Sequence, residues 1–485
     1  MTEHLLLIDG ELRPAASGAT FDDVSPTTGE VLGAAPDASA DDMAEAVGAA
    51  RRSFDETDWS TDHAFRVRCL RQLHEALVEN LDELTELTIA EVGAPRSMCA
   101  SVQLATPVDF VRYYADLLEA YEWRTDLGTA DTMGGPARRW TEREPVGVVA
   151  AITPWNVPTQ INLAKLAPAL AAGCTTVLKP APDTPWLGLA LGRIAAEHTD
   201  IPAGVLNVVS GASAELGEAL TTDPRVDMIS FTGSTATGRH IMAVAADRIA
   251  KVFLELGGKS ALVVLDDHDD LGAIGFMAAF GTAAVAGQGC ALSTRILLPR
   301  SRYDEGVGTI AEALAMVPPG DPDDGGTMMG PLISPRQWER VDGLVRGGIE
   351  EGARLVCGGK RPDGLPNGNF YEPTLLADVT SNMAVAQEEI FGPVLVAIPH
   401  DGDDDAVRIA NDSIYGLSGH VYSADEDRAL GVGRRIRTGT LSINGGVWYR
   451  EDVPFGGVKQ SGIGREMGTP GFEEYLEIKS FAAPA

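Results

Sequence analysis

Between about residues 60 and 122 apolar side chains recur every three or four positions, most clearly in CLRQLHEALVENLDELTELTIAEV, and this spacing predicts a run of amphipathic helices. From Val146 the period changes. Short β-branched runs follow one another, VGVVAAI (146–152), TTVLK (175–179), GVLNVV (204–209), VDMISF (226–231) and KVFLEL (251–256), with helix-compatible stretches between most of them. Such alternation predicts a largely parallel sheet covered on both faces, and ligands of such sheets bind at the carboxyl ends of the strands. After Gly257 and Gly258 a second series begins: ALVVLDD, a helical run to Ala286, RILLP, helices near 301–316 and 335–351, and strands near 371, 394, 417 and 439. It predicts a second α/β domain, with the glycine pair as a hinge. PARRWTERE (136–144) and YLEIKSF (475–481) alternate as exposed strands do. Unpaired edges of that kind need a partner, so an oligomerisation flap is expected.

Composition narrows the setting. A chain of 485 residues exceeds what one core usually serves, so two or more domains are expected. Hydrophobic residues at 44 %, with 54 Gly and 29 Pro, describe a turn-rich globular protein and not a disordered one. The opening MTEHLLLIDGELRP lacks a basic lead, and no apolar run reaches the length of about 18 residues that a membrane span needs. A cytoplasmic location without membrane contact is the expectation. A net charge of −32 disfavours nucleic acid and anionic membranes as partners. The cysteines, Cys69, Cys99, Cys174, Cys290 and Cys357, are widely spaced and contain no CxxC pair, which argues against a disulfide framework and against structural zinc. No metal site is expected.

Candidate chemistry collects at strand ends. Cys290, in AGQGCALSTR (286–295), stands among small residues at the end of an apolar run. A lone cysteine either packs as a small hydrophobe or serves as a nucleophile, and the residue alone leaves both open. SFTGSTATGRHI (230–241) passes from strand to helix through Gly233, Ser234 and Gly238. Free N–H groups and the positive end of a helix suit a pyrophosphate there, although Gly-Ser also simply caps helices. The spacing is neither G-x-G-x-x-G nor a Walker loop. Lys179 closes a strand in LKPAPDTP (178–185), where an ammonium either reaches a ribose or phosphate or points to solvent. Asn156, in TPWNVP (153–158), either donates to a developing oxyanion or forms a turn between its prolines. Glu255 follows apolar residues in FLELGGKS (253–260). A carboxyl desolvated at such a strand end has its pKa shifted up toward the range of a general base; a salt-bridged one does not. EEIFGPV (388–394) and PFGGVKQSGIGRE (454–466) each hold a phenylalanine in a glycine-rich loop, where a ring can stack on a planar ligand.

In this order, PWN, FTGST, LELGGKS, GQGC, EEIFGP and PFGGVKQSGIGRE are hallmark motifs of the aldehyde dehydrogenase superfamily, which the chain resembles along essentially its whole length. The resemblance implies an α/β fold with a Rossmann-like parallel-sheet cofactor domain (1–122 and 145–256), a second α/β catalytic domain (257–460) and a small β oligomerisation flap (123–144 and 461–485), assembled as a homodimer or homotetramer. It implies NAD(P)-dependent oxidation of an aldehyde to a carboxylic acid. Cys290 is then the nucleophile of a thiohemiacetal and a thioester, and the Asn156 amide with the Cys290 N–H holds the oxyanion. Glu255 is the base that activates water, and Lys165 supports proton movement and the amide. The implied cofactor residues are Trp155, Lys179 on the adenosine ribose, Gly211, Gly233, Ser234 and Thr237 near the pyrophosphate, Glu389 on the nicotinamide ribose, and Phe391 beside it. NAD-preferring members usually carry a glutamate three residues after that lysine, and here Pro182 stands instead. NAD is expected, with NADP left open. Val157, Ile161 and Ala164 are smaller than their counterparts in many relatives, and Trp448, Tyr449 and Phe455 would form the opposite wall. The widened channel implies a roomy, mainly apolar aldehyde, aromatic, terpenoid or medium-chain, over a charged semialdehyde; Arg450 is the residue able to grip a carboxylate. A CoA-acylating variant would leave Glu255 without a purpose. A silent fold used for binding or scaffolding would need neither Cys290 nor Glu255, and a cysteine hydrolase would need a histidine motif beside Cys290 that is absent.

Overall fold

A computed structural model of the chain describes residues 4–485. Its largest sheet has eight strands, in the order Gly462–Ile463, Lys251–Glu255, Met228–Thr232, Val148–Ile152, Thr175–Lys179, Leu206–Val208, Leu6–Ile8 and Glu11–Arg13. The strands from Lys251 round to Val208 run parallel. The strands flanking them are antiparallel. Thr175–Lys179 is buried throughout, and Val148–Ile152 nearly so, as β-branched runs covered on both faces must be. The chain enters this parallel set at Val148–Ile152, proceeds outward through Thr175–Lys179 and Leu206–Val208, then returns to the other side with Met228–Thr232 and Lys251–Glu255. The reversal leaves a crevice at the carboxyl ends of Val148–Ile152 and Met228–Thr232, where a ligand site is expected in an open α/β sheet. Trp155 and Asn156 follow the first of these strands, Gly233 and Ser234 the second.

The second sheet has seven strands, Arg354–Cys357, Thr374–Ala377, Val394–His400, Ser293–Pro299, Ser260–Val264, Gly419–Tyr422 and Ser442–Ile443, antiparallel only at the first pair. Each large sheet has its own apolar core. The two stretches expected as exposed strands pair with each other: Leu476–Pro484 lies antiparallel to Gly135–Pro145, which also pairs with Arg124–Thr132. Trp140 stacks on Phe481 across that ladder at 5.3 Å between ring centroids. Before reaching this flap the chain contributes Gly462–Ile463 to the edge of the first sheet.

One expected element is corrected. The helical run toward Ala286 ends at Ala283, and Val285, Ala286 and Gly287 all take positive φ, near 51°, 51° and 70°. Apolar composition there is helix-compatible, but a Cβ on Gly287 would collide with the carbonyl of Gly392. The contact between two distant loops fixes the turn, and holding Val285 and Ala286 left-handed costs about 1–3 kcal/mol each.

Candidate active site

A cavity of about 500 Å³ opens at the crevice of the first sheet, and its lining comes from both large domains. Trp155, Asn156, Gly233, Ser234 and Glu255 reach it from the carboxyl ends of the first sheet's strands, while Cys290, Glu389 and Phe391 reach it from the other side. The glycine doublet explains how the halves meet so closely. A Cβ at Gly257 would strike the Glu389 carboxylate, and one at Gly258 would strike the carbonyl of Cys290. Neither glycine has a positive φ. Close approach, not backbone freedom, is what these positions require.

Cys290 sits just beyond the left-handed turn, on a loop fastened from several directions. The Gln288 side chain accepts from the Ile333 N–H at 3.0 Å and donates to the Val285 carbonyl at 3.1 Å, and the Gln288 carbonyl accepts from the Asn156 amide at 2.7 Å. Asn156 is buried, its own carbonyl receiving the Gln103 amide at 3.1 Å. One hydrogen of its side-chain NH2 is thus committed to positioning and the other is left for a ligand. Burial pushes the Cys290 thiol well above its ordinary range, and the neighbouring carboxyls of Glu255, Glu389 and Glu466 push in the same direction.

Glu255 is fully buried, and neither carboxylate oxygen has a hydrogen-bond partner. Burial, then the charge of Glu466, raises its pKa well above the carboxylate range, while Lys165 and Arg465 partly offset them. Lys165 projects from the helix Pro158–Ala172 into the same region. Its ammonium donates to Glu466 at 3.1 Å and lies 4.8 Å from the centre of the Phe253 ring. It turns to Glu466 and not to the Asn156 amide, which Gln288 supports. Glu466 escaped the reading of the sequence although it closes the PFGGVKQSGIGRE motif; its partner lies 301 residues away.

Glu389 accepts the Gly258 N–H at 3.0 Å, and burial lifts its carboxyl to about 7 against the pull of Lys259 and Arg340. Phe391 has φ near 59°, a conformation held from the helix Pro335–Glu350, where Gln337 donates to the Phe391 carbonyl at 2.7 Å. The ring meets Trp155 edge-on, with centroids 5.3 Å apart. Ser234 caps the helix Thr235–Ala246, accepting from the Thr237 N–H at 3.2 Å, and both side chains are exposed at the helix start. Lys179 is buried at its strand end, and burial with no acidic partner draws its ammonium down to about 8. An unpaired buried cation of that kind is stabilised by a ligand rich in oxygen.

Not every expected residue touches the cavity. Lys179, Gly211 and Thr237 lie outside its lining, and Gly211 packs on Leu216. Of the substrate-wall residues Ile161 lines it. Ala164 and Phe455 join Phe110, Leu417 and Met467 in a small apolar cluster, against which Cys290, Trp448 and Tyr449 pack. Val157 is buried at the cap of the Pro158–Ala172 helix. Phe110 was missed because the helix Ala105–Ala120 carries only a generic amphipathic pattern. Arg450 is exposed and paired with Glu451 at 3.0 Å, lining neither this cavity nor the one beside it.

Residues 13–481 match the model of the aldehyde dehydrogenase family. The chain belongs to that family. A 3-succinoylsemialdehyde-pyridine dehydrogenase of Pseudomonas sp. is 41 % identical over 98 % of this chain and 97 % of its own length. A Mycobacterium tuberculosis aldehyde dehydrogenase complexed with NAD+ superposes with a TM-score of 0.94 at 44 % identity, covering 99 % of this chain and 98 % of the other. A Pseudomonas syringae aldehyde dehydrogenase solved with NAD+ and octanal gives 0.93 at 39 %, covering 99 % and 97 %. Both of these aldehyde dehydrogenases share the architecture described above. Among the described residues of this family member no cluster of His, Cys, Asp or Glu is arranged to hold a metal ion, and no helix is long and apolar enough to cross a membrane.

Proposed function

We propose that this chain oxidises a roomy, mainly apolar aldehyde to its carboxylic acid with NAD, through a covalent intermediate on Cys290. The observation that carries the reading is the convergence of a cysteine, a half-free buried amide and an unpartnered buried carboxyl on one cavity. The relatives solved with NAD+ support the choice of cofactor. In this reading Lys179 meets the adenosine ribose, the helix start at Ser234 and Thr237 meets the pyrophosphate, Glu389 holds the nicotinamide ribose, and Phe391 with Trp155 packs beside it. NAD, when bound, supplies the hydride acceptor.

The protein's own residues do the rest. The Cys290 sulfur, once it has lost its proton, bonds to the aldehyde carbon. The resulting oxyanion takes the remaining Asn156 N–H and the backbone N–H of Cys290; one such donor is typically worth about 2.7–4 kcal/mol. Loss of hydride leaves a thioester on Cys290. Glu255 then removes a proton from the water that attacks the thioester carbon, and the acid departs as the sulfur regains a proton. A CoA-accepting outcome would not use this base.

The apolar cluster of Phe110, Ala164, Phe455 and Met467 supports the choice of substrate, as does the commitment of Arg450 to Glu451 at the surface. The relatives described above, one named for 3-succinoylsemialdehyde-pyridine and one solved with octanal, are in keeping with that choice. A panel of aromatic, terpenoid, medium-chain and carboxylate-bearing aldehydes, read by absorbance of the reduced nicotinamide with NAD and with NADP, tests the whole reading. Turnover of uncharged bulky aldehydes with NAD is expected. A preference for carboxylated substrates would overturn the substrate, and activity with NADP alone would overturn the cofactor.

The carboxyl cluster adds a pH dependence. A carboxyl whose pKa is raised loses its base form early as pH falls, so the acid limb of kcat lies above the ordinary carboxylate range. In Glu466→Gln the negative neighbour is gone and Lys165 is left unpaired beside Glu255. Both changes favour the carboxylate. The acid limb of the kcat profile should therefore move to lower pH; an unmoved or raised limb would show that Glu255 does not govern it.

A further inference from the structure

A second cavity, of about 250 Å³, begins one residue beyond the nucleophile at Ala291 and shares Trp448 and Tyr449 with the apolar cluster against which Cys290 packs. Apolar cavities of about 150 Å³ already hold benzene, so this one has room for a ring and a few further atoms. Its outer wall is the helix Leu271–Ala283, which presents the partly exposed Phe280.

Four polar side chains, Ser293, His420, Ser442 and Tyr449, interrupt the apolar lining. The Tyr449 hydroxyl is buried and has no hydrogen-bond partner, and its pKa is pushed up first by burial and then by the nearby charge of Glu466. A buried hydroxyl left unpaired is unfavourable, and a bound acceptor would offset that cost. His420 also lines the cavity, with Nδ1 2.9 Å from the Ser293 hydroxyl. No protein group engages Nε2; in the tautomer that carries its proton there, Nδ1 accepts the Ser293 O–H and Nε2–H is free to donate. The surroundings hold the imidazole neutral, since burial lowers its pKa. Two donors, a phenol and a neutral imidazole, thus stand in an apolar space beside the reacting sulfur.

We infer that this cavity receives the far part of the substrate, and that the aldehyde carries there an uncharged hydrogen-bond acceptor, such as a ketone oxygen, read by the Tyr449 hydroxyl and His420 Nε2. The inference rests on the dehydrogenase reading above and narrows its substrate class. A carboxylate is disfavoured in the same place, because no cation lines the cavity to offset its desolvation.

The test compares kcat/KM for 4-phenylbutanal and 4-oxo-4-phenylbutanal, with NAD, in the wild type, Tyr449→Phe and His420→Leu. A neutral hydrogen bond at this depth should favour the keto aldehyde by about five- to tenfold in the wild type. In each variant that ratio should fall toward one. Equal values in the wild type, or a ratio that survives both substitutions, would overturn the inference while leaving the dehydrogenase reading in place. If neither aldehyde reduces NAD while other uncharged aldehydes of the panel do, the inference falls and the dehydrogenase reading stands; if none of the panel does, both fall. Should His420→Leu not fold, Tyr449→Phe, which removes a single oxygen, decides the matter, and His420→Gln should restore part of any discrimination that the leucine variant loses.

Discussion

Cys290→Ala should bind NAD and still reduce it at least about 10⁴-fold more slowly than the wild type in the presence of aldehyde, the scale seen when a covalent nucleophile is removed. The substitution takes away one sulfur atom. The loop that carries it is fastened by hydrogen bonds of Gln288 to Ile333 and Asn156 that do not involve the thiol, so cofactor binding should survive. Quenching of protein fluorescence by NAD checks that the site is intact, and absorbance of the reduced nicotinamide reads the reaction. Equal rates in the two proteins would remove Cys290 from the mechanism. The same assay run against pH with a thiol alkylator carries a second expectation. Burial and three nearby carboxyls hold the free thiol neutral, so alkylation should be slow near neutrality and should accelerate as pH rises.

Glu255→Gln separates the two halves of the reaction. Hydride loss precedes any need for an activated water, so a first turnover should appear as a burst of reduced cofactor close to one equivalent per site. Steady turnover should then run about 10² to 10⁴-fold below the wild type, the usual worth of a general base. The accumulated species is the Cys290 thioester, detectable as a mass increase on the protein. A steady rate equal to the wild type would end the assignment of Glu255 as base. The same variant should lose no thermal stability. Both oxygens of the native carboxylate are buried without a donor, so an uncharged amide of nearly the same shape removes a desolvation cost rather than a contact.

The candidate site was legible because its members lie in short contiguous motifs. Asn156, Glu255, Cys290, Glu389 and Phe391 all line one cavity, as their positions at strand ends and in glycine-rich loops suggested. The strand runs were readable for a related reason: strands buried on both faces must be apolar over several consecutive residues, and a period of that kind needs no knowledge of the partner. Gly257 and Gly258 were read as a hinge, and the contacts give them a different requirement, room for the Glu389 carboxylate and the Cys290 carbonyl.

What the amino-acid order determined by itself is therefore the set of candidate groups and the local elements that present them, since both depend on neighbours within a few residues. Tertiary structure alone decided the left-handed turn at Val285 and Ala286, which a packing contact with Gly392 imposes on a helix-compatible run, and the Lys165–Glu466 pair, whose members stand 301 residues apart. It also decided that Tyr449 and His420 share a cavity that begins one residue beyond Cys290. Each of these rests on the approach of segments remote in the chain, and no periodicity or spacing encodes which distant backbone will arrive at van der Waals distance.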